Sequence, residues 1–141
     1  FVLENGVEMT TLEDLLQRAD FVSLNADLNP TSYHIINERT LALMRPNAVL
    51  INTARGPLVD EAALIAALEA GRIGGAALDV FEVEPLPLTS PLLRMDNVML
   101  APHNSNSSPA AWERVHLSTI RNLLEGLGIP CPDLPDLLAQ R

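Results

Sequence analysis

No stretch of this 141-residue chain approaches the roughly 18 uninterrupted apolar residues that a membrane-spanning helix needs. No basic segment followed by an apolar run opens it, so no secretory signal is read and the expected location is cytoplasmic. Cysteine is nearly absent. Cys131 stands alone, which excludes an internal disulfide, and the prolines at 130 and 132 place it in an irregular tail with a structural or neutral role. Basic residues are scarce as well: 9 Lys and Arg face 18 Asp and Glu, a net charge of −9. That balance argues against nucleic acid and anionic membranes as partners and suits a protein kept soluble by its acidity. No internal repeat, long low-complexity segment or metal-ligating pattern is read.

What is present is a packed α/β chain. Nearly half of the residues are apolar, and the length suffices for one domain rather than two. Strand-like and helix-like segments alternate, which predicts an α/β fold with a parallel sheet and helices on its faces. A short strand is expected near Val7 to Met9. Thr10-Thr11-Leu12-Glu13-Asp14 then resembles a capping box, and Leu12, Leu15, Leu16 and Ala19 share one helical face. Phe21 to Leu24 reads as a buried strand followed by a turn-rich loop, Asn25 to Pro30. Asn37 is expected to cap a second helix that runs through Met44 and stops before Pro46.

Ala48 to Ile51 is apolar without interruption, the pattern of a strand covered on both faces. Asp60 is placed as the cap of a helix from Glu61 to Ala70, with Val59 and Leu64 able to staple its entry and Gly71 able to end it. Gly75 to Leu78 and Val98 to Leu100 are the remaining strands. Ser108 caps a last helix with Pro109 in its first position. Its Val115, Ile120, Leu123, Leu124 and Leu127 recur at helical spacing and are expected to pack on the sheet.

Three polar segments follow three of these strands: Asn52-Thr53-Ala54-Arg55-Gly56, then Leu78-Asp79-Val80-Phe81-Glu82-Val83-Glu84-Pro85, then Ala101-Pro102-His103. In open α/β sheets, ligands bind in the crevice beyond the carboxyl ends of the strands, so an Arg, a Glu and a His delivered there have an active-site address. Each has a plain reading by itself. An Arg after a strand is commonly a solvated surface residue, a Glu before proline ends a loop, and a His after proline caps a turn.

The order of the three decides between these readings. The runs Leu41 to Gly56, Ala76 to Phe81 with Glu84-Pro85, and Asn97 to His103 resemble the NAD-binding domain of the D-isomer-specific 2-hydroxyacid dehydrogenases, over roughly residues 7 to 127. The resemblance implies a partial Rossmann-like, doubly wound parallel sheet with flanking helices. It assigns Arg55 to the substrate carboxylate and carbonyl, Glu84 to orienting the histidine, and His103 to proton transfer. Asp79 is assigned to the nicotinamide end of the cofactor, with Thr53, Ala54, Asn104 and Asn106 as neighbours. The cofactor is NAD, with NADP left open, the substrate is a small 2-hydroxy or 2-oxo acid, and the assembly is a homodimer, with Trp112 a candidate contact. His34 and His116 match no catalytic position of the family.

Chemistry agrees with that division. Reduction of a 2-oxo acid builds negative charge on the carbonyl oxygen, where a general acid must donate a proton. Imidazole, with an ordinary pKa near about 6.5, suits that duty. A carboxylate beside it favours the imidazolium and fixes its tautomer, and the planar fork of an Arg matches a carboxylate through two parallel hydrogen bonds.

Two features of the family are not in the chain: the G-x-G-x-x-G pyrophosphate loop with its later ribose-binding acid, and the substrate domain. Residues 1–127 are therefore read as a partial NAD-binding domain lacking its first βαβ unit, and residues 128–141 as a tail and candidate remnant of the substrate domain. The family also includes co-repressors that keep the fold. The alternatives to an oxidoreductase fragment are thus a nucleotide-sensing interaction protein and an inactive truncated fragment.

Overall fold

A computed structural model describes residues 5–104 and 107–130; Asn106, Cys131 and the rest of the C-terminal tail lie outside the described residues. The chain divides into two compact units, Phe1–His103 and Asn104–Arg141.

The first unit is a four-stranded parallel sheet with helices alternating along the chain. Strands β1 (Phe21–Leu24), β2 (Val49–Asn52), β3 (Gly75–Leu78) and β4 (Val98–Leu100) are hydrogen-bonded in the order β1-β2-β3-β4. Helix α1 (Leu12–Arg18) leads into β1, and α2 (Glu38–Leu41) and α3 (Glu61–Glu69) lie in the crossovers from β1 to β2 and from β2 to β3 that parallel neighbours require. This is the expected α/β, Rossmann-like sheet.

The pleat decides where the core lies. Register aligns Val22, Leu50 and Ala76 across three strands, and Leu24, Asn52 and Leu78 beside them, and all six are buried. All but Asn52 share one apolar cluster with Leu16 of α1, Leu41 of α2, and Leu64, Ala67 and Leu68 of α3. Complete burial of a leucine such as Leu50 or Leu64 contributes about 1.5–3 kcal/mol. The alternate residues behave differently: Phe21 and Met99 are exposed, and Val49 and Ile51 only half-buried. The double-sided cover expected for the second strand is therefore found on one face.

Local chemistry sets the helix ends. Thr11 caps α1 by accepting the Asp14 N–H at 3.2 Å, and Asp60 caps α3 by accepting the Ala63 N–H at 3.0 Å. Gly71 follows α3 at φ +63°, the left-handed conformation that glycine adopts without a Cβ penalty. Asn37 caps α2 as expected, but the helix ends at Leu41 instead of Met44. The chain tightens there into i→i+3 bonds, with Leu43 N–H donating to Thr40 and Met44 N–H to Leu41, before Pro46 bars further helix. Val7 to Met9 forms no strand: Val7 and Met9 are exposed, and neither pairs with the sheet. Apolar alternation without a partner strand leaves backbone groups to water.

The second unit contains α4 (Pro109–Gly126), capped by Ser108 with Pro109 in its first turn. None of its residues is buried, and Val115, Ile120 and Leu123 of its apolar stripe are exposed. Trp112 is also exposed and meets the His116 ring edge-on, 5.6 Å between centroids.

Candidate active site

The turn after β2 is built by Asn52. This side chain is 1% exposed; its Nδ2 donates to the Arg55 carbonyl at 2.8 Å and its Oδ1 accepts the Ala54 N–H at 3.1 Å. An asparagine bonded to the backbone two residues on is an Asx turn, which bends the chain sharply beyond the strand. Arg55 is thereby projected to the surface, its Nη1 donating to the Ala54 carbonyl at 2.6 Å. A 3₁₀ turn, Gly56–Leu58, follows and lies against the next segment of the site. At Gly56 a Cβ would stand 1.8 Å from the Phe81 carbonyl oxygen, so only glycine fits this approach.

β3 delivers Asp79, which is 4% exposed and donates its N–H to the Asn52 carbonyl at 2.9 Å. The chain then passes buried Phe81 and reaches Glu84, which precedes a cis peptide bond to Pro85. Glu84 is held from two sides. Its Oε1 accepts the Phe81 N–H at 3.0 Å, and its Oε2 meets His103 Nδ1 at 2.8 Å. His103 arrives from β4 through Ala101, whose N–H donates to the Leu78 carbonyl at 2.9 Å, and takes a left-handed backbone at φ +54°. Both side chains line a cavity of about 400 Å³ whose other walls include Phe81, Leu86, Leu93 and Leu100. The pair is thus a polar edge on an apolar pocket. Loops beyond β1 and β2 line a second depression of about 460 Å³, with Asn25, Asp27, Ala54 and Arg55 on its walls.

The hydrogen bond from His103, then that from the Phe81 N–H, holds the Glu84 carboxyl below its ordinary value. A carboxyl lowered by folding adds stability above its unfolded pKa, near about 4.3, and that contribution is lost as pH falls through the lowered folded value. In denaturation series across pH, the margin of wild type over Glu84→Gln is therefore expected to close as pH falls from about 4 into stronger acid. A margin that stayed open through that range would refute this arrangement.

Of the sequence-predicted residues, Glu84 and His103 are brought into contact. Arg55 lines the neighbouring depression and touches neither of them by hydrogen bond or ion pair among the described residues. Thr53 is exposed, Ala54 half-buried, Asp79 buried and Asn104 exposed, while Asn106 lies outside the described residues. Asn52 was placed in the motif without a role, although a buried Asn ending an apolar strand is itself a turn signal. The pair His34 and Glu82, 2.6 Å apart, went unread.

The residues present suit the nicotinamide end of a dinucleotide. Small side chains and a buried carboxylate, Asp79, gather at the carboxyl ends of β2 and β3, the ligand position of open parallel sheets. Fold and site together define a nucleotide-binding α/β domain with an acid–histidine pair at the carboxyl edge of its sheet.

Comparison with known proteins agrees. Residues 2–105 match the model of the D-isomer specific 2-hydroxyacid dehydrogenase family, NAD binding domain. The chain is 50% identical over 119 residues to a glyoxylate reductase of Thermofilum pendens, covering 84% of this chain and 35% of that protein. A D-isomer specific 2-hydroxyacid dehydrogenase from Xanthobacter autotrophicus, solved with NADPH and MES, superposes with a TM-score of 0.64 at 51% identity, over 65% of this chain and 29% of the other. A D-lactate dehydrogenase of Lactobacillus jensenii with NAD+ superposes with a TM-score of 0.80 at 29% identity, over 91% and 43%. The chain belongs to the D-isomer-specific 2-hydroxyacid dehydrogenase family. It spans about a third of the length of the curated relatives it matches.

Proposed function

We propose that these residues form the later part of the NAD-binding domain of a longer oxidoreductase that interconverts a small D-2-hydroxy acid and its 2-oxo acid. The observation that carries this reading is the 2.8 Å contact between Glu84 Oε2 and His103 Nδ1 at the edge of the apolar cavity. Glu84 occupies Nδ1, which leaves Nε2 to give a proton to a carbonyl oxygen during reduction and to take it back during oxidation. Arg55 binds the substrate carboxylate through its guanidinium fork. Thr53, Ala54 and Asp79, with Asn104 and Asn106, hold the cofactor. A bound nicotinamide, NAD or NADP, supplies or accepts the hydride.

Relatives named glyoxylate reductase and glyoxylate/hydroxypyruvate reductase make small 2-oxo acids the first substrates to try. The parent carries its pyrophosphate loop and substrate domain outside these residues, works in the cytoplasm and forms a homodimer, with the exposed Trp112 face of α4 as a contact. No helix among the described residues is long and apolar enough to cross a membrane.

The test is reduction of glyoxylate and hydroxypyruvate by the full polypeptide, followed as loss of NADH or NADPH absorbance, with light scattering on the same preparation. Turnover and a dimeric mass are expected. Nucleotide binding without turnover of any 2-oxo acid would replace the enzyme by a nucleotide-sensing protein, and a monomeric mass would remove the dimer.

A further inference from the structure

We propose that His34 and Glu82 form a positioning pair that fastens the loop carrying Glu84 to the turn carrying Arg55. The inference rests on the dehydrogenase reading above and adds two residues to its machinery. His34 lies between β1 and α2, 48 positions from its partner, and its Nε2 stands 2.6 Å from Glu82 Oε1.

Three observations set this pair apart from an ordinary surface ion pair. First, His34 holds a left-handed backbone at φ +49°, which a non-glycine residue keeps only where its surroundings fix it. They do so here: its N–H donates to the Pro57 carbonyl at 2.9 Å, its own carbonyl accepts from Asn37 Nδ2 at 2.8 Å, and the Tyr33 ring stacks on it with centroids 4.0 Å apart. Pro57 belongs to the 3₁₀ turn immediately after Arg55.

Second, both carboxylate oxygens of Glu82 and its backbone N–H are engaged. Its Oε2 accepts the Glu61 N–H at 3.0 Å in the first turn of α3, and its own N–H donates to Glu61 Oε2 at 3.2 Å. Two residues later the chain presents Glu84. Third, the side chains of His34 and Glu82 are only 26% and 27% exposed, so the contact is shielded more than the exposed pairs that contribute little.

The consequence is mechanical. His34 grips the Arg55 turn by its backbone and the Glu84 loop by its ring. Glu82 anchors that loop in turn to the start of α3. Burial, and the nearby charge of Glu82, push the Glu61 carboxyl up.

The test uses the full polypeptide with His34→Ala, His34→Gln and Glu82→Gln. Turnover of a 2-oxo acid is measured, and in parallel the side-chain carboxyl carbon of ¹³C-labelled Glu84 is titrated by NMR. In His34→Ala, kcat is expected to fall about tenfold with a smaller change in KM, because the reacting groups lose alignment more than the substrate loses contacts. The Glu84 titration is expected to move up toward the ordinary carboxyl value as its bonds to Phe81 and His103 loosen. His34→Gln, whose amide can still donate to Glu82, is expected to restore both readouts in large part, and Glu82→Gln, which keeps an acceptor, to lie between.

His34→Ala with wild-type kcat and an unmoved Glu84 titration overturns the proposal. So does equal damage in His34→Ala and His34→Gln, which would make the site a matter of packing alone. A wild-type protein without turnover overturns the dehydrogenase reading instead, and the Glu84 titration then still decides whether His34 positions the loop.

Discussion

Replacing His103 by alanine in the full polypeptide is expected to lower kcat for 2-oxo acid reduction by roughly a hundredfold or more, with a far smaller change in KM. The reasoning starts from the ring. Nδ1 is committed to Glu84 Oε2 at 2.8 Å, so in the proposed reaction the proton-transferring atom is Nε2. The alkoxide that forms when the carbonyl is reduced needs a proton as its charge develops, and water is a poor substitute for a donor already in place. Binding is a separate duty, assigned to Arg55 on the neighbouring depression, and alanine at 103 leaves it untouched. The loss therefore falls on kcat, the signature of an interaction made in the transition state. Unchanged turnover in steady-state kinetics would remove the assigned mechanism, whatever the protein's fold.

How much of this was legible in the sequence depended on distance along the chain. The caps Thr11, Asp60 and Ser108 were readable because each is decided by neighbours within a few residues. The strand expected at Val7 to Met9 failed for the converse reason: strand formation needs a partner, and local alternation does not supply one. The end of α2 was misjudged by three residues because tightening into i→i+3 bonds is a property of the final turn, not of its composition.

The same rule governs the site. Glu84 and His103, 19 residues apart, were paired through family resemblance, since no periodicity links a Glu before proline with a His after one. His34 and Glu82 have the same kind of contact across 48 residues, but no motif announced it. His34 matches no catalytic position of the family, and its left-handed backbone is invisible until the chain is folded. The sequence thus named the groups of the proposed chemistry and passed over the contact between His34 and Glu82.

That support comes down in part to one missing side chain. Gly56→Ala is expected to destabilise the protein by about 3 kcal/mol or more, and to displace the Arg55 turn from the Phe81 to Glu84 segment in any molecules that fold. The added Cβ would lie 1.8 Å from the Phe81 carbonyl oxygen, 2.0 Å from its carbonyl carbon and 2.6 Å from the Glu82 nitrogen. All three are backbone atoms, so no side chain can rotate away; one segment must retreat from the other. Retreat strains the contacts that bind them, among them the His34 N–H to Pro57 bond and the Glu61–Glu82 reciprocal pair. Gly71 is the proper control. It has φ +63° but nothing within 4 Å of a new Cβ, so Gly71→Ala bears only the left-handed backbone cost, about 1–2 kcal/mol. Equilibrium denaturation of the two variants separates crowding from conformational cost: a Gly56→Ala midpoint no lower than that of Gly71→Ala would mean that the Arg55 turn does not press on the Glu84 loop, and the close packing of the two halves of the site would have to be abandoned.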